Sequence, residues 1–145
     1  MVPARVGIVV PVWNRSESLA RAIDSVLTRA EEPVQVVVVD NGSDDPEALS
    51  KIIAGYGEPS ISLVRLPANL GPGGGRNVGA AHCTAPLIGF LDSDDEFEPD
   101  WLVAMTGPFE DPNVGVVTCG LRKVDSAGRV VLERMPQPVG LADAP

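Results

Sequence analysis

Leu87-Ile88-Gly89-Phe90-Leu91-Asp92-Ser93-Asp94-Asp95 runs from an apolar segment into a cluster of carboxylates. The apolar part is short and bounded by Pro86, so it reads as a buried strand. In an extended backbone, residues two apart point the same way. Asp92 and Asp94 are therefore expected to share a face, with Asp95 turned elsewhere. Two carboxylates on one face repel unless a positive charge lies between them. A hard divalent cation such as Mg²⁺ or Mn²⁺ suits that position, because it prefers oxygen ligands and is often held by one or two carboxylates plus substrate phosphates. Taken alone, the same acids would serve equally as loop solubilisers or as favourable charge before a helix near Pro99. The surrounding chain decides between these readings.

Upstream, the pattern alternates between strand and helix. Val6-Gly7-Ile8-Val9-Val10-Pro11-Val12 is nearly continuous apolar and rich in β-branched residues, as in a parallel strand covered on both faces. Pro11 fits only near its end. After Trp13-Asn14-Arg15-Ser16, with Asn14 or Ser16 as candidate helix cap, Leu19, Ala22, Ile23, Val26 and Leu27 recur at helical spacing. Val34 to Val39 reads as the second strand. The turn cluster Asp40-Asn41-Gly42-Ser43-Asp44-Asp45 follows, and Pro46 opens a second helix through Ile53. Ile61 to Leu66 is a third strand. Pro67 to Gly75 reads as a glycine-rich loop, with a short helix from about Gly75 to His82. Leu87 to Leu91 is the fourth strand and Pro99 to Leu102 a helix start. Val114 to Cys119 reads as a fifth strand. Leu121 to Val124 and Arg129 to Glu133 read as a hairpin with Gly128 at its bulge. The expected fold class is α/β, with a mainly parallel sheet flanked by helices. The expected organisation is one domain over residues 1–135 and a loose tail over 136–145.

Composition narrows the function. A chain of 145 residues with 44% hydrophobic content can bury a real core. Its net charge of −9 argues against nucleic acid as a partner, which calls for a basic footprint. No apolar stretch is long enough to span a bilayer, and the N-terminus lacks the pattern of a signal peptide. Cys83 and Cys119 fit neither a metal spacing nor a disulfide framework, and are expected to be reduced, buried thiols of a cytoplasmic protein.

Ligands of open parallel sheets bind beyond the carboxyl ends of the strands. Here those ends carry Trp13-Asn14-Arg15, Asp40-Asn41 and Asp92-Ser93-Asp94, with the glycine-rich segment after the third strand. All four are expected to face one crevice. Trp13 offers an aromatic face for a base, or else packs half-buried. Asp40 offers an acceptor for a base N–H or ribose hydroxyl, or else braces its turn. Glycines at 71 and 73 to 75 permit close backbone approach, and Arg76 follows at a helix start suited to phosphate. The segment lacks the last glycine of G-x-G-x-x-G and the Lys-Ser/Thr ending of a Walker loop. His82 is expected on the helix surface, with no catalytic part.

Pro11 to Arg15, Val38 to Asp45, Asn69 to Gly71 with Arg76-Asn77, and Phe90 to Asp95 together resemble family 2 glycosyltransferases, which have the GT-A fold. The likeness covers roughly residues 5 to 125. It implies a nucleotide-diphosphate sugar as donor, a UDP-sugar foremost, and transfer to an acceptor hydroxyl with inversion. It implies Mn²⁺ or Mg²⁺ on Asp94 and Asp92. Nucleotide contacts are implied for Pro11, Val12, Trp13, Asn14, Arg15, Asp40, Asn41, Gly71, Arg76, Asp92 and Ser93. The family more often has Tyr at the Trp13 position and often a second Asp where this chain has Asn41. The family's catalytic base lies further downstream than this chain reaches, so the chain reads as the donor-binding part of a longer transferase, with sheet surface left open to self-association. Two other readings stand beside it. A nucleotidyltransferase making sugar nucleotides would usually carry its glycine-rich signature straight after the first strand, where Pro11-Val12-Trp13 stands here. The other is a non-catalytic nucleotide-binding fragment.

Overall fold

A computed structural model of the chain describes residues 3–136. The chain divides between Trp101 and Leu102 into two compact units. The first contains β1 (Val6–Val12), α1 (Ser16–Leu27), β2 (Val34–Asp40), α2 (Pro46–Tyr56), β3 (Ile61–Arg65), α3 (Gly71–His82) and β4 (Leu87–Phe90). All strand pairs are parallel, in the order β3-β2-β1-β4. The chain builds outward from β1 to β3, then crosses back to place β4 on the other side of β1. Such a reversal opens a crevice at the carboxyl ends of the two strands that flank it.

The valine runs explain the centre. Val9, Val10 and Val36 to Val39 are fully buried. Odd-numbered Val9, Val37 and Val39 share one face with Val64, Leu66 and Cys83 packed on it. The even-numbered residues point to the opposite face by strand alternation. α1 buries Leu19, Ala22, Ile23 and Val26, the stripe read from its spacing. Tyr56 of α2 donates to Ala20 O of α1 at 3.0 Å and to Asp24 Oδ1 at 2.8 Å, tying the two helices together. Burial and the Asp24 carboxylate both push the Tyr56 phenol well above its usual range.

Helix α3 begins four residues earlier than its sequence indicates. The glycines expected in a loop form its first turn, with Pro72 near the start, where proline costs no hydrogen bond. Packing overrides their poor helix propensity. A β-carbon at Gly79 would lie 2.2 Å from Val9 Cγ1, and one at Gly75 would lie 3.3 Å from Pro11 Cβ. Only glycine lets this helix lie so close to the sheet. Helix α2 likewise runs a turn past Ile53 to Tyr56 and stops at Gly57, whose φ of 60° is left-handed. Asn14 and Ser16 do not cap α1, whose cap residue is Arg15.

Strand β4 is an edge strand and not the buried one expected, with Ile88 and Phe90 exposed on it. Its run also ends at Phe90. Asp92 to Asp95 instead close a turn, in which Asp95 N donates to Asp92 O at 3.0 Å. The extended backbone assumed for Asp92 and Asp94 is therefore absent.

The second unit contains the end of α4 (Trp101–Thr106), a 3₁₀ turn at Gly107–Glu110, and an antiparallel hairpin of β5 (Leu121–Val124) and β6 (Val130–Arg134). Gly128 takes a φ of 76° in its turn, as its place in the sequence indicates. The fifth strand expected over Val114 to Cys119 does not form: among the described residues no strand pairs with it, and Val116 is 80% exposed. Cys119 is consequently exposed, while Cys83 is partly buried and its thiol pushed up by that burial. Among the described residues, no helix is long and apolar enough to cross a membrane. The tail expected from 136 onward lies outside the described residues beyond 136.

Candidate functional site

A cleft of about 220 Å³ opens at the carboxyl ends of β1 and β4. Strand β1 delivers Pro11 and Val12 to its floor, and the following loop delivers Trp13 and Arg15. Trp13 is 52% exposed, so about half of the side chain is open at the cleft and half is covered. The turn after β4 delivers Asp92, Ser93 and Asp94. Ser93 is buried between its two acidic neighbours, which lie at the surface. A tight turn, rather than strand alternation, thus brings both carboxylates to one cleft.

Each carboxylate has a guanidinium partner. Arg15 donates to Asp94, and Arg76 of α3 donates to Asp92. The cleft therefore holds two positive and two negative groups in contact. Asp95 lies beside it, its carboxyl raised above the ordinary range by burial and by the charge of Asp92. Among the described residues, no three His, Cys, Asp or Glu side chains gather as a metal cage. The two carboxylates suit a different arrangement, in which a hard cation completes its oxygen shell from a bound diphosphate. In that sense the donor set fits Mg²⁺ or Mn²⁺.

The second strand end divides its tasks. Asp40 is 2% exposed and does not line the cleft; its Oδ1 accepts from Ser43 N at 2.9 Å, bracing the turn. Asn41 does line the cleft. Its Nδ2 donates to Asn69 Oδ1 at 3.1 Å and to Gly71 O at 3.0 Å, while its Oδ1 accepts from Leu70 N at 3.0 Å. Asn14, at a left-handed φ of 53°, also lies off the cleft wall. It joins two loops: Nδ2 donates to Asp44 Oδ2 at 2.9 Å, and Oδ1 accepts from Asp44 N at 2.8 Å. Gly71 does not line the cleft; Asn69 and Pro72 do, two residues outside the expected set of nucleotide contacts. Asn69 had a local signal, since an asparagine just ahead of a helix commonly bonds backbone amides. It accepts from Gly71 N at 2.7 Å.

Residues 7–136 match the sequence profile of Glycosyl transferase family 2. The chain belongs to that family. It is 34% identical over 139 residues to the succinoglycan biosynthesis protein ExoO of Rhizobium meliloti, covering 91% of this chain and 39% of that protein. It is 34% identical over 112 residues to the pre-mycofactocin glycosyltransferase of Mycobacterium tuberculosis, covering 77% of this chain and 22% of that one. The chain thus spans about two-fifths or less of these relatives. Among solved structures, it resembles the mannosyltransferase PcManGT of Pyrobaculum calidifontis in complex with GDP-Man and Mn²⁺, at 25% identity and a TM-score of 0.73, covering 84% of this chain and 37% of that one. It also resembles TarS of S. aureus in complex with UDP, at 25% identity and a TM-score of 0.63, covering 73% and 33%. The family 2 chain has the α/β architecture of these GT-A transferases, with its parallel sheet between helices.

Proposed function

We propose that the family 2 chain binds the nucleotide-diphosphate donor of a glycosyltransferase, a UDP-sugar foremost, together with Mn²⁺ or Mg²⁺. The observation that carries this reading is the meeting of Trp13, Arg15, Arg76, Asp92 and Asp94 around one cleft at strand carboxyl ends. Trp13 stacks on the base. Arg15 and Arg76 turn from their carboxylate partners toward the diphosphate, as guanidinium forks bind phosphate well. Asp94, with Asp92, holds the cation. When bound, that cation neutralises the negative charge that grows on the departing diphosphate. The arginines act on the same charge and need no proton transfer to do so. Transfer to an acceptor hydroxyl proceeds with inversion, as the family likeness implies. The nucleotides held by the two solved relatives support this donor class, and the Mn²⁺ of one supports the cation.

Thermal unfolding with Mn²⁺ and a panel of UDP, GDP and their sugar conjugates tests the proposal. A midpoint rise that needs both metal and one nucleotide is expected, because a ligand binding only the folded state stabilises it. No rise with any of them would reject the donor role.

A further inference from the structure

Helix α1 grips the backbone just past the acidic turn. Ser25 stands in the buried stripe of that helix, 3% exposed among Leu19, Ala22, Ile23 and Val26. Its hydroxyl donates to Ala22 O at 2.7 Å and accepts from Phe97 N at 3.0 Å. Arg29, one helical turn on, donates to Phe97 O. Both main-chain groups of Phe97 are thus taken by side chains of α1. Beside them, Glu96 lies 3.7 Å from Arg21 and 3.8 Å from Arg29, and the Phe97 ring stacks on buried Trp101 with centroids 4.3 Å apart. At the entry to the turn, Leu91 is buried and its N–H donates to Val9 O at 3.0 Å. The turn that carries Asp92 and Asp94 is therefore strung between two anchors, the sheet at Leu91 and α1 at Phe97.

We infer that Ser25, together with Arg29, is a positioning residue that fixes the acidic turn from behind and so sets where Asp94 meets the cation. This rests on the donor-binding reading above. In that reading Arg15 and Arg76 leave their carboxylates for the diphosphate. The turn then loses both guanidinium ties at the moment when its carboxylates must hold one geometry around a metal. The grip at Phe97 survives that exchange, because it is made to main chain and neither Ser25 nor Arg29 lines the cleft. It depends on an oxygen at position 25. A serine hydroxyl can donate one hydrogen bond and accept another at once, and Ser25 does both. Alanine there leaves the Phe97 N–H without its acceptor, and a covered N–H with no partner moves to find one.

Calorimetry of UDP and of GDP, each with Mn²⁺, tests this on wild type, Ser25→Ala, Asp94→Asn and the double variant. Ser25→Ala is expected to weaken binding about tenfold, and to cost little further in the Asp94→Asn background, since residues acting through one another are not additive. Unchanged affinity would overturn the inference, whatever the urea midpoint does, because a bond that serves stability alone moves only the midpoint. Full additivity with Asp94→Asn would overturn it as well. Should Ser25→Ala not fold, Arg29→Met removes the other half of the grip, from a side chain 34% exposed, and carries the same expectations. Wild type that binds neither nucleotide would instead reject the donor role. The grip is then read without ligand or metal, as amide exchange at Asp95, whose N–H closes the acidic turn onto Asp92 O at 3.0 Å. Exchange there is expected to quicken in the variant relative to the amides of β2. No change, or the same change in both places, would overturn the inference.

Discussion

Arg15 and Asp94 form an ion pair that joins the loop after β1 to the turn after β4, with both side chains about half exposed, at 57% and 48%. An exposed pair of this kind contributes only about 0–1 kcal/mol to stability. Asp94→Asn should therefore leave the urea midpoint nearly unchanged while removing an anionic metal ligand. Calorimetry of UDP with Mn²⁺ should show at least a tenfold loss of affinity; equal affinity would reject the metal role. Arg15→Gln should act in the opposite sense on metal alone, since it removes the competitor for the same carboxylate. Mn²⁺ binding without nucleotide should tighten, and nucleotide binding should weaken.

Trp13 lines the cleft and is about half exposed. Trp13→Ala should cost about 1–3 kcal/mol of nucleotide binding, the range for base–aromatic stacking at other sites. Phe or Tyr should restore most of it. Denaturation of Trp13→Ala distinguishes the packing alternative, which predicts a large loss of stability.

The α3 glycines separate into two kinds. Gly79→Ala places a β-carbon 2.2 Å from Val9 and 2.9 Å from Val39, in a core with no room to yield. It should destabilise by about 1–3 kcal/mol, as overpacking typically does. Gly73→Ala meets nothing within 4 Å. It should gain about 0.5–1 kcal/mol from the reduced freedom of the unfolded chain. Urea unfolding of the two variants reads both signs. A stable Gly73→Ala with weakened UDP binding would show that the diphosphate needs the bare backbone there.

Asp95 gives a pH dependence of defined sign. Its carboxyl is raised by burial first and by Asp92 second. The folded state then holds the proton more tightly than the unfolded chain, so stability falls as pH rises from the ordinary value of 3.8 through the raised one. Asp95→Asn should be more stable than wild type at neutral pH, and the difference should vanish in acid below 3.8. Urea midpoints across that range measure it. A constant difference at all pH values would mean that the residue acts through shape and not through charge.

The sequence by itself determined the alternation of strands and helices, the buried valine centre and the residues of the cleft that carry charge or an aromatic face. These are local properties: β-branched runs, helical spacing and chemistry at strand ends appear in a single linear reading. The family likeness added what such residues do together. Trp13, Arg15, Arg76, Asp92 and Asp94 were all legible before any coordinates, and they do meet.

Tertiary structure alone decided the rest. Val114 to Cys119 has strand composition but no partner strand among the described residues, and a strand exists only through its neighbour's hydrogen bonds. Gly71 to Gly75 has loop composition but forms the first turn of α3, a helix whose approach to the sheet leaves no room for a side chain at Gly79 and little at Gly75. Asp92 and Asp94 reach one cleft through a turn, where strand alternation was the expected route. The hydrogen bonds from Asn41 to Asn69, Leu70 and Gly71 were not legible in the sequence, because these partners lie about thirty residues away. Such a bridge depends on which strand lies beside which, and residue order along the chain does not state it.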